Sequence, residues 1–129
     1  MNTGQKEQLT KWLHSVPMVR GTLLRGVRFP DQTSVNHGGE GDFPTDALDQ
    51  AWRVVSDTFE VLNAQRFPPT RLSWVYERSV LHCVQRADGA MLGVFTARKT
   101  GVDPEGLTRL LNEFQGLALA NPNPQTEAK

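Results

Sequence analysis

The sequence contains a single cysteine among 129 residues, Cys83, which excludes a fold held by intramolecular disulfide bonds. It contains no apolar run near the roughly 20 residues that a membrane-spanning helix needs. Its first residues are polar and lack the apolar core of a secretory signal peptide. We therefore expect a cytoplasmic protein that has no membrane partner.

An excess of charge of either sign is also absent, since 14 Lys and Arg residues balance 14 Asp and Glu residues. A nucleic-acid-binding domain usually carries net positive charge, so we expect no nucleic-acid partner. Hydrophobic residues make up 38% of the sequence and charged residues 22%, as in ordinary folded domains. The length fits one domain, which we place over residues 1–120. Residues 121–129 are polar and proline-rich, and we predict a disordered tail there.

Residues that could carry chemistry are few and scattered. His82 and Cys83 are adjacent, but neighbouring residues of a strand point to opposite faces and cannot form a catalytic dyad. The three histidines, His14, His37 and His82, lie in different predicted elements and lack the spacing of zinc ligands. We therefore predict no catalytic, metal-binding or cofactor-binding residues, and hence a protein that is not an enzyme.

The spacing of the apolar residues predicts three helices and five strands. The first helix ends before Pro17, with Thr3 as its N-cap, and the last begins at Pro104 after the N-cap Asp103. The long middle helix covers about residues 45–65, and a glycine-rich loop at residues 38–41 precedes it. The predicted strands cover residues 19–29, 33–36, 71–77, 79–85 and 90–97. This order predicts an α/β (α+β) fold, a five-stranded antiparallel sheet with helices on both faces.

Two predicted features would leave surfaces without a partner inside one copy of this fold, the second of them if the third strand is a sheet edge. The middle helix has an apolar stripe that is widened by Ala51, Val54 and Val61, and such a width exceeds what a helix on one sheet requires. The strand over residues 71–77 contains neither proline nor lysine, the residues that usually protect an edge strand from pairing. Both features indicate a surface for protein association.

Two short motifs resemble the roadblock/LC7 domain family. The run Leu13-His-Ser-Val-Pro-Met-Val-Arg-Gly-Thr-Leu-Leu24 is similar to the end of the family's first helix, "V-P-x-V-x-G", and to the strand start "G-x-L-L". The run Arg86-Ala-Asp-Gly-Ala-Met-Leu-Gly-Val-Phe95 is similar to the family's "D-G-A-L-L-x-V" hairpin. The resemblance covers residues 9–117 and includes the order of the predicted elements, and on it the chain is identified as a bacterial single-domain member.

The resemblance implies a homodimer, or a heterodimer of paralogues, in which the third strands pair antiparallel and the second helices pack side by side. It also implies a non-catalytic scaffold or regulator, with a small Ras-like GTPase as its partner. For this chain we predict that six apolar residues form the dimer interface: Trp52, Val55, Phe59, Leu72, Trp74 and Tyr76. The helix residues Trp52 and Phe59 have an equally good interpretation as core of a single protomer.

The first hairpin departs from the family pattern. Members commonly carry an acidic residue and a glycine at the turn between the first two strands, whereas this chain reads Arg25-Gly-Val-Arg-Phe-Pro-Asp-Gln32. The register of this hairpin is therefore not predicted by the resemblance.

Two other functions fit the same pattern of elements. A ligand-sensing module of the PAS or GAF kind also surrounds a five-stranded sheet with helices, and it would need a pocket near Gly93 and His82. A thiol enzyme would need Cys83 to be exposed and reactive, whereas a buried structural cysteine is the commoner case.

Overall fold

The computed structural model describes residues 1–38, 43–99 and 101–119. These residues form three helices and five strands in the predicted order: α1 (Thr3–Ser15), β1 (Thr22–Arg28), β2 (Ser34–Gly38), α2 (Ala47–Ala64), β3 (Leu72–Val75), β4 (Ser79–Gln85), β5 (Met91–Ala97) and α3 (Pro104–Gly116). The strands make one antiparallel sheet, which confirms the predicted fold class. Most of the glycine loop and the predicted tail lie outside the described residues.

The strands are ordered β2-β1-β5-β4-β3 across the sheet. Strands β1 and β5 are paired near the centre, with Gly26 opposite Gly93. The first hairpin, whose register the sequence left open, pairs Arg28 with Ser34 and Leu24 with Gly38. Strand β3 lies at one end of this order, where the described residues pair it with β4 alone.

The helices cover both faces of the sheet and create two separate cores. Buried residues of α1 and α3, such as Leu13 and Phe114, share one cluster with Val94 of β5. Buried residues of α2 share the other cluster with Leu81 and Phe95. Successive strand residues therefore alternate between the α1/α3 face and the α2 face.

Helix α2 approaches the sheet closely because the paired glycines leave no side chain beneath it. A Cβ atom built on Gly93 would lie 2.8 Å from Leu48 Cδ2 and 3.0 Å from the ring carbon Cη2 of Trp52. A Cβ atom built on Gly26 would lie 2.7 Å from Leu48 Cδ1. The two glycines thus form a flat floor on which α2 rests through Leu48 and Trp52.

The turn between α1 and β1 is held by a buried arginine. Arg25 Nη2 donates to the carbonyl oxygen of Val16 at 2.8 Å, and Nη1 donates to that of Pro17 at 3.3 Å. Arg25 is buried, and burial lowers the pKa of its guanidinium. The side chain therefore supplies hydrogen bonds to the carbonyl groups of the C-cap residue Val16, which α1 leaves without a helical partner, and of Pro17 in the turn that follows.

Several predicted element ends are wrong by one or two residues. Asn2, rather than Thr3, is the N-cap of α1, and it forms a capping box with Gln5. Helix α2 starts after Asp46, which makes no side-chain capping hydrogen bond, rather than after Thr45. Strand β3 ends at Val75 because the chain turns there: the Tyr76 amide donates to the carbonyl of Ser79 at 2.8 Å.

We expect Gly93→Ala to destabilise the protein, because the new methyl group would push Leu48 and Trp52 away from the sheet. Overpacking of this kind costs about 1–3 kcal/mol in the free energy of unfolding. Urea denaturation measures the change. Gly101→Ala is the matched control, because a Cβ atom there meets nothing within 4 Å. Equal stability of the two variants would contradict the close contact of α2 with Gly93.

Candidate functional site

Within the described residues, the hydrogen-bonding groups on the outer side of the β3 backbone have no partner strand. Residues of an antiparallel pair alternate between those that bond the neighbouring strand and those that point away from it. Tyr76 bonds Ser79, and the register continues with Trp74 opposite Leu81. By this alternation, the N–H and C=O groups of Ser73 and Val75 point away from β4.

The side chains of β3 divide between the two faces of the sheet. Leu72 and Trp74 are half-buried against the α2 core, whereas Ser73 and Val75 lie on the α1/α3 face. Val75 is 64% exposed. Since β3 contains neither proline nor lysine, its outer edge is open to another strand, as expected from the sequence.

Helix α2 carries a second, largely apolar stripe on the flank beside its buried residues, and its first two members, Ala47 and Ala51, still pack against the core. Its residues follow each other at spacings of four, three, four and three: Ala47, Ala51, Val54, Thr58 and Val61. Val54 is 55% exposed and Val61 is 53% exposed. We call these five residues the outer stripe.

Two contacts orient the outer stripe toward the β3 end of the sheet. Ala47 and Ala51 line a cavity of about 300 Å³ together with Tyr76, so the amino-terminal half of α2 lies beside the end of β3. Asn63 Nδ2 donates to Gln85 Oε1 at 3.2 Å, which places the other end of α2 at the far end of β4. Helix α2 therefore runs antiparallel to β3, with its outer stripe alongside the open edge.

The six residues predicted for an interface fall into two groups. Trp52, Val55 and Phe59 are each 1% exposed and belong to the core of the protomer, the second of the two interpretations considered for the helix. Leu72 and Trp74 are half-buried at the edge, and Tyr76 is 45% exposed. Interface roles for all six stay a prediction. The prediction omitted exposed residues of α2 such as Val54 and Val61. These two valines are seven residues apart and lie on the same side of the helix, a spacing that can be recognised in the sequence.

A polar network without a carboxylate lies on the opposite face of β3 and β4. Arg71 Nη2 donates to His82 Nδ1 at 2.9 Å, which leaves the ring proton on Nε2 to be donated to Thr96 Oγ1 at 3.1 Å. Ser73 Oγ also donates to His82 Nδ1, at 3.2 Å. Burial first, and then the charge of Arg71, lower the pKa of His82 to about 4. The neutral ring of His82 therefore accepts a hydrogen bond from Arg71 but carries no negative charge that could balance the guanidinium.

The residues weighed for catalysis or metal binding are placed as follows. Cys83 is buried on the α2 face while His82 lies on the other face, and burial raises the pKa of the thiol. His14 and His37 converge, with 2.7 Å between their Nδ1 atoms, although they come from different elements. Within residues 1–38, 43–99 and 101–119, three or more metal-binding side chains do not come together.

The space proposed for a sensory ligand is occupied by the protein itself. Gly93 is covered by Leu48 and Trp52, so the floor beneath α2 holds side chains where a PAS or GAF module would need a pocket. A cavity of about 690 Å³ is instead an open groove along the polar flank of α2, lined by Arg53, Asp57 and Glu60 among others. In the described part of the chain, the helices are too short or too polar to cross a membrane.

Comparison with solved structures identifies the fold. No family sequence profile and no curated protein sequence matches the chain. Its structure is similar to that of Myxococcus xanthus MglB, with a TM-score of 0.57 and 8% identity over 73% of this chain and 80% of that one. It is also similar to a roadblock/LC7 domain from Streptomyces avermitilis, with a TM-score of 0.53 and 17% identity over 81% of this chain and 92% of that one. The chain therefore has the fold of the roadblock/LC7 family.

Proposed function

We propose that this protein is a non-catalytic, cytoplasmic adaptor that works as a dimer of two copies of the chain. The observation that carries the proposal is the juxtaposition of the open β3 edge with the outer stripe of α2. A twofold partner would extend the sheet through β3 and would cover the outer stripe with its own α2. A paralogue with the same two surfaces would serve equally well as the partner.

The backbone contribution comes from Ser73 and Val75. Their outward N–H and C=O groups are a template for a second strand, and two copies of β3 can satisfy these groups reciprocally. The strand is only four residues long, so its hydrogen bonds alone would make a small contact. A stable interface normally buries about 1,200–2,000 Å² in total, which requires the helices as well.

The side-chain contribution divides between direct contacts and support. Val54 and Val61 would contact the partner helix, while Leu72 and Trp74 would contact the partner strand from the α2 face. The buried residues of α2 would not touch the partner but would fix the position of α2 on the sheet; these are Trp52, Val55 and Phe59. This assignment keeps the predicted interface region and moves its helix contacts by one or two residues.

The partner class that we propose is a small Ras-like GTPase. The proposal rests on the roadblock/LC7 fold, because the resemblance of the sequence to that family implies such a partner. The groove on the polar flank of α2 lies on the side of the helix away from β3, so it would stay accessible in the dimer. Its charged residues, including Arg53 and Asp57, are suited to the polar rim of a protein interface.

We expect Val75→Pro to abolish dimerisation and to leave the protomer folded. Proline removes an outward N–H group and takes no hydrogen bond from the β3–β4 ladder, and edge strands tolerate it. Sedimentation velocity at micromolar concentration measures the mass, and circular dichroism checks the fold. Val75→Thr, which keeps the N–H group and the β-branched shape, is the control and should dimerise. A Val75→Pro variant that dimerises as the natural chain does would disprove strand pairing at this edge.

We expect Val54→Ser/Val61→Ser to weaken the dimer at least tenfold, because each dimer would lose four apolar contacts. A tenfold loss corresponds to about 1.4 kcal/mol, a small part of what burying four valine side chains contributes. Arg53→Ser/Glu60→Ser is the matched control, with the same spacing on the polar flank. If both double variants had the natural dissociation constant, the outer stripe would not belong to the interface.

We expect the dimer to bind a small Ras-like GTPase of its own organism in a way that depends on the bound nucleotide. Titration calorimetry with the GDP form and with a non-hydrolysable GTP form of that GTPase measures the two affinities. A difference of about tenfold or more supports a regulatory adaptor. Equal affinities, or no binding of either form, would contradict the GTPase assignment.

A further inference from the structure

We infer that the two copies pair their β3 strands in a single register, with Trp74 on the twofold axis and Arg71 beside the partner's Glu77. The inference rests on the dimer proposed above and adds the residues that select one alignment of the strands. It assigns Arg71 and Glu77 as the specificity-determining charges of the interface. Neither residue belongs to the apolar set considered so far.

Symmetry limits the registers that the strands can adopt. In an isologous antiparallel pair, the twofold axis passes through one residue position. Residues whose backbone N–H and C=O groups point away from β4 must then lie opposite each other in the two copies. An axis at Ser73, at Trp74 or at Val75 meets this condition. Only the axis at Trp74 places Ser73 opposite the partner's Val75 on both sides, which forms four hydrogen bonds within β3 itself. An axis at Ser73 or at Val75 leaves some of these bonds to residues outside the strand.

The side chains on the α2 face favour the same axis. Trp74 would face its own copy in a pair without mutual hydrogen bonds, the position where opposing side chains are closest. Its indole is half-buried on the side that carries α2 and the outer stripe. The outer stripe has Val54 at its middle and β3 has Trp74 near its middle, so one axis can serve both elements.

The charges on the opposite face distinguish the three registers. Ion pairs within the described residues join Lys6 to Asp31 and Arg86 to Asp88, and neither pair includes Arg71 or Glu77. Arg71 is exposed and rests on His82 Nδ1 and, at 3.4 Å, on Thr108 Oγ1. Its charge therefore lacks a carboxylate inside the described part of its own chain.

Glu77 supplies the matching carboxylate from the other side of the axis. It is exposed in the turn after β3, three positions beyond Trp74, while Arg71 lies three positions before it. An axis at Trp74 sets Leu72 opposite the partner's Tyr76, so each Arg71 lies beside the partner's turn, whose first residue is Glu77. An axis at Ser73 would place Arg71 opposite the partner's Val75, and an axis at Val75 would place Glu77 opposite the partner's Ser73. Opposite charges that face each other across strands stabilise one alignment.

The test is a charge exchange between two variants, Arg71→Glu and Glu77→Arg. Each variant alone would place two like-charged pairs across the axis, so we expect its dimer to be weakened about tenfold or more. A mixture of the two variants restores both opposite-charge pairs in a heterodimer. Sedimentation velocity of each variant and of the equimolar mixture, with native mass spectrometry to identify the heterodimer, should show dimers mainly in the mixture.

A single chain with both changes, Arg71→Glu/Glu77→Arg, is the control for folding, and its homodimer should regain nearly the natural affinity. Single variants that dimerise normally, or a mixture and a double variant that do not recover, would overturn the register while the natural dimer stands. A natural chain that stays monomeric at all accessible concentrations would instead disprove the proposed function. The two failures are therefore distinguishable.

Discussion

The contact of α2 with the glycine floor determines how the rest of this protein is arranged. Gly26 and Gly93 face each other at the centre of the sheet, so Leu48 and Trp52 can lie against the backbone. This contact fixes the rotation of α2 about its own axis, because interiors are closely packed and tolerate little displacement. Once the rotation is fixed, Val54 and its neighbours in the outer stripe must face the β3 end of the sheet.

Three features that favour association lie together at the β3 end of the sheet. The outward backbone groups of β3, the exposed valines of α2 and the uncompensated charge of Arg71 all lie near the same edge. Each feature alone is common on protein surfaces, since apolar side chains and free edges occur widely. Their coincidence at an edge without proline or lysine is the reason for proposing a dimer, in which one twofold axis would cover all three.

The sequence was sufficient to predict the element order and the antiparallel sheet, because apolar spacing and turn residues act locally. It showed that the third strand lacks proline and lysine, but the position of this strand at the sheet edge is seen only in the structure. It was not sufficient to assign Trp52 and Phe59, because a wide apolar stripe does not show which side of a helix contacts the sheet. That choice depends on Gly26 and Gly93, which are far apart in the chain and meet only in the folded sheet. The convergence of His14 and His37 was missed for the same reason.

Hydrogen exchange at β3 tests the central claim, the pairing of two β3 edges, most directly. Nuclear magnetic resonance can follow the amide protons of Ser73, Trp74 and Val75 separately at high and low protein concentration. The account predicts that Ser73 and Val75 are protected at high concentration and lose protection on dilution, while Trp74, bonded to β4, stays protected throughout. Amides of Ser73 and Val75 that exchange freely at every concentration would contradict it.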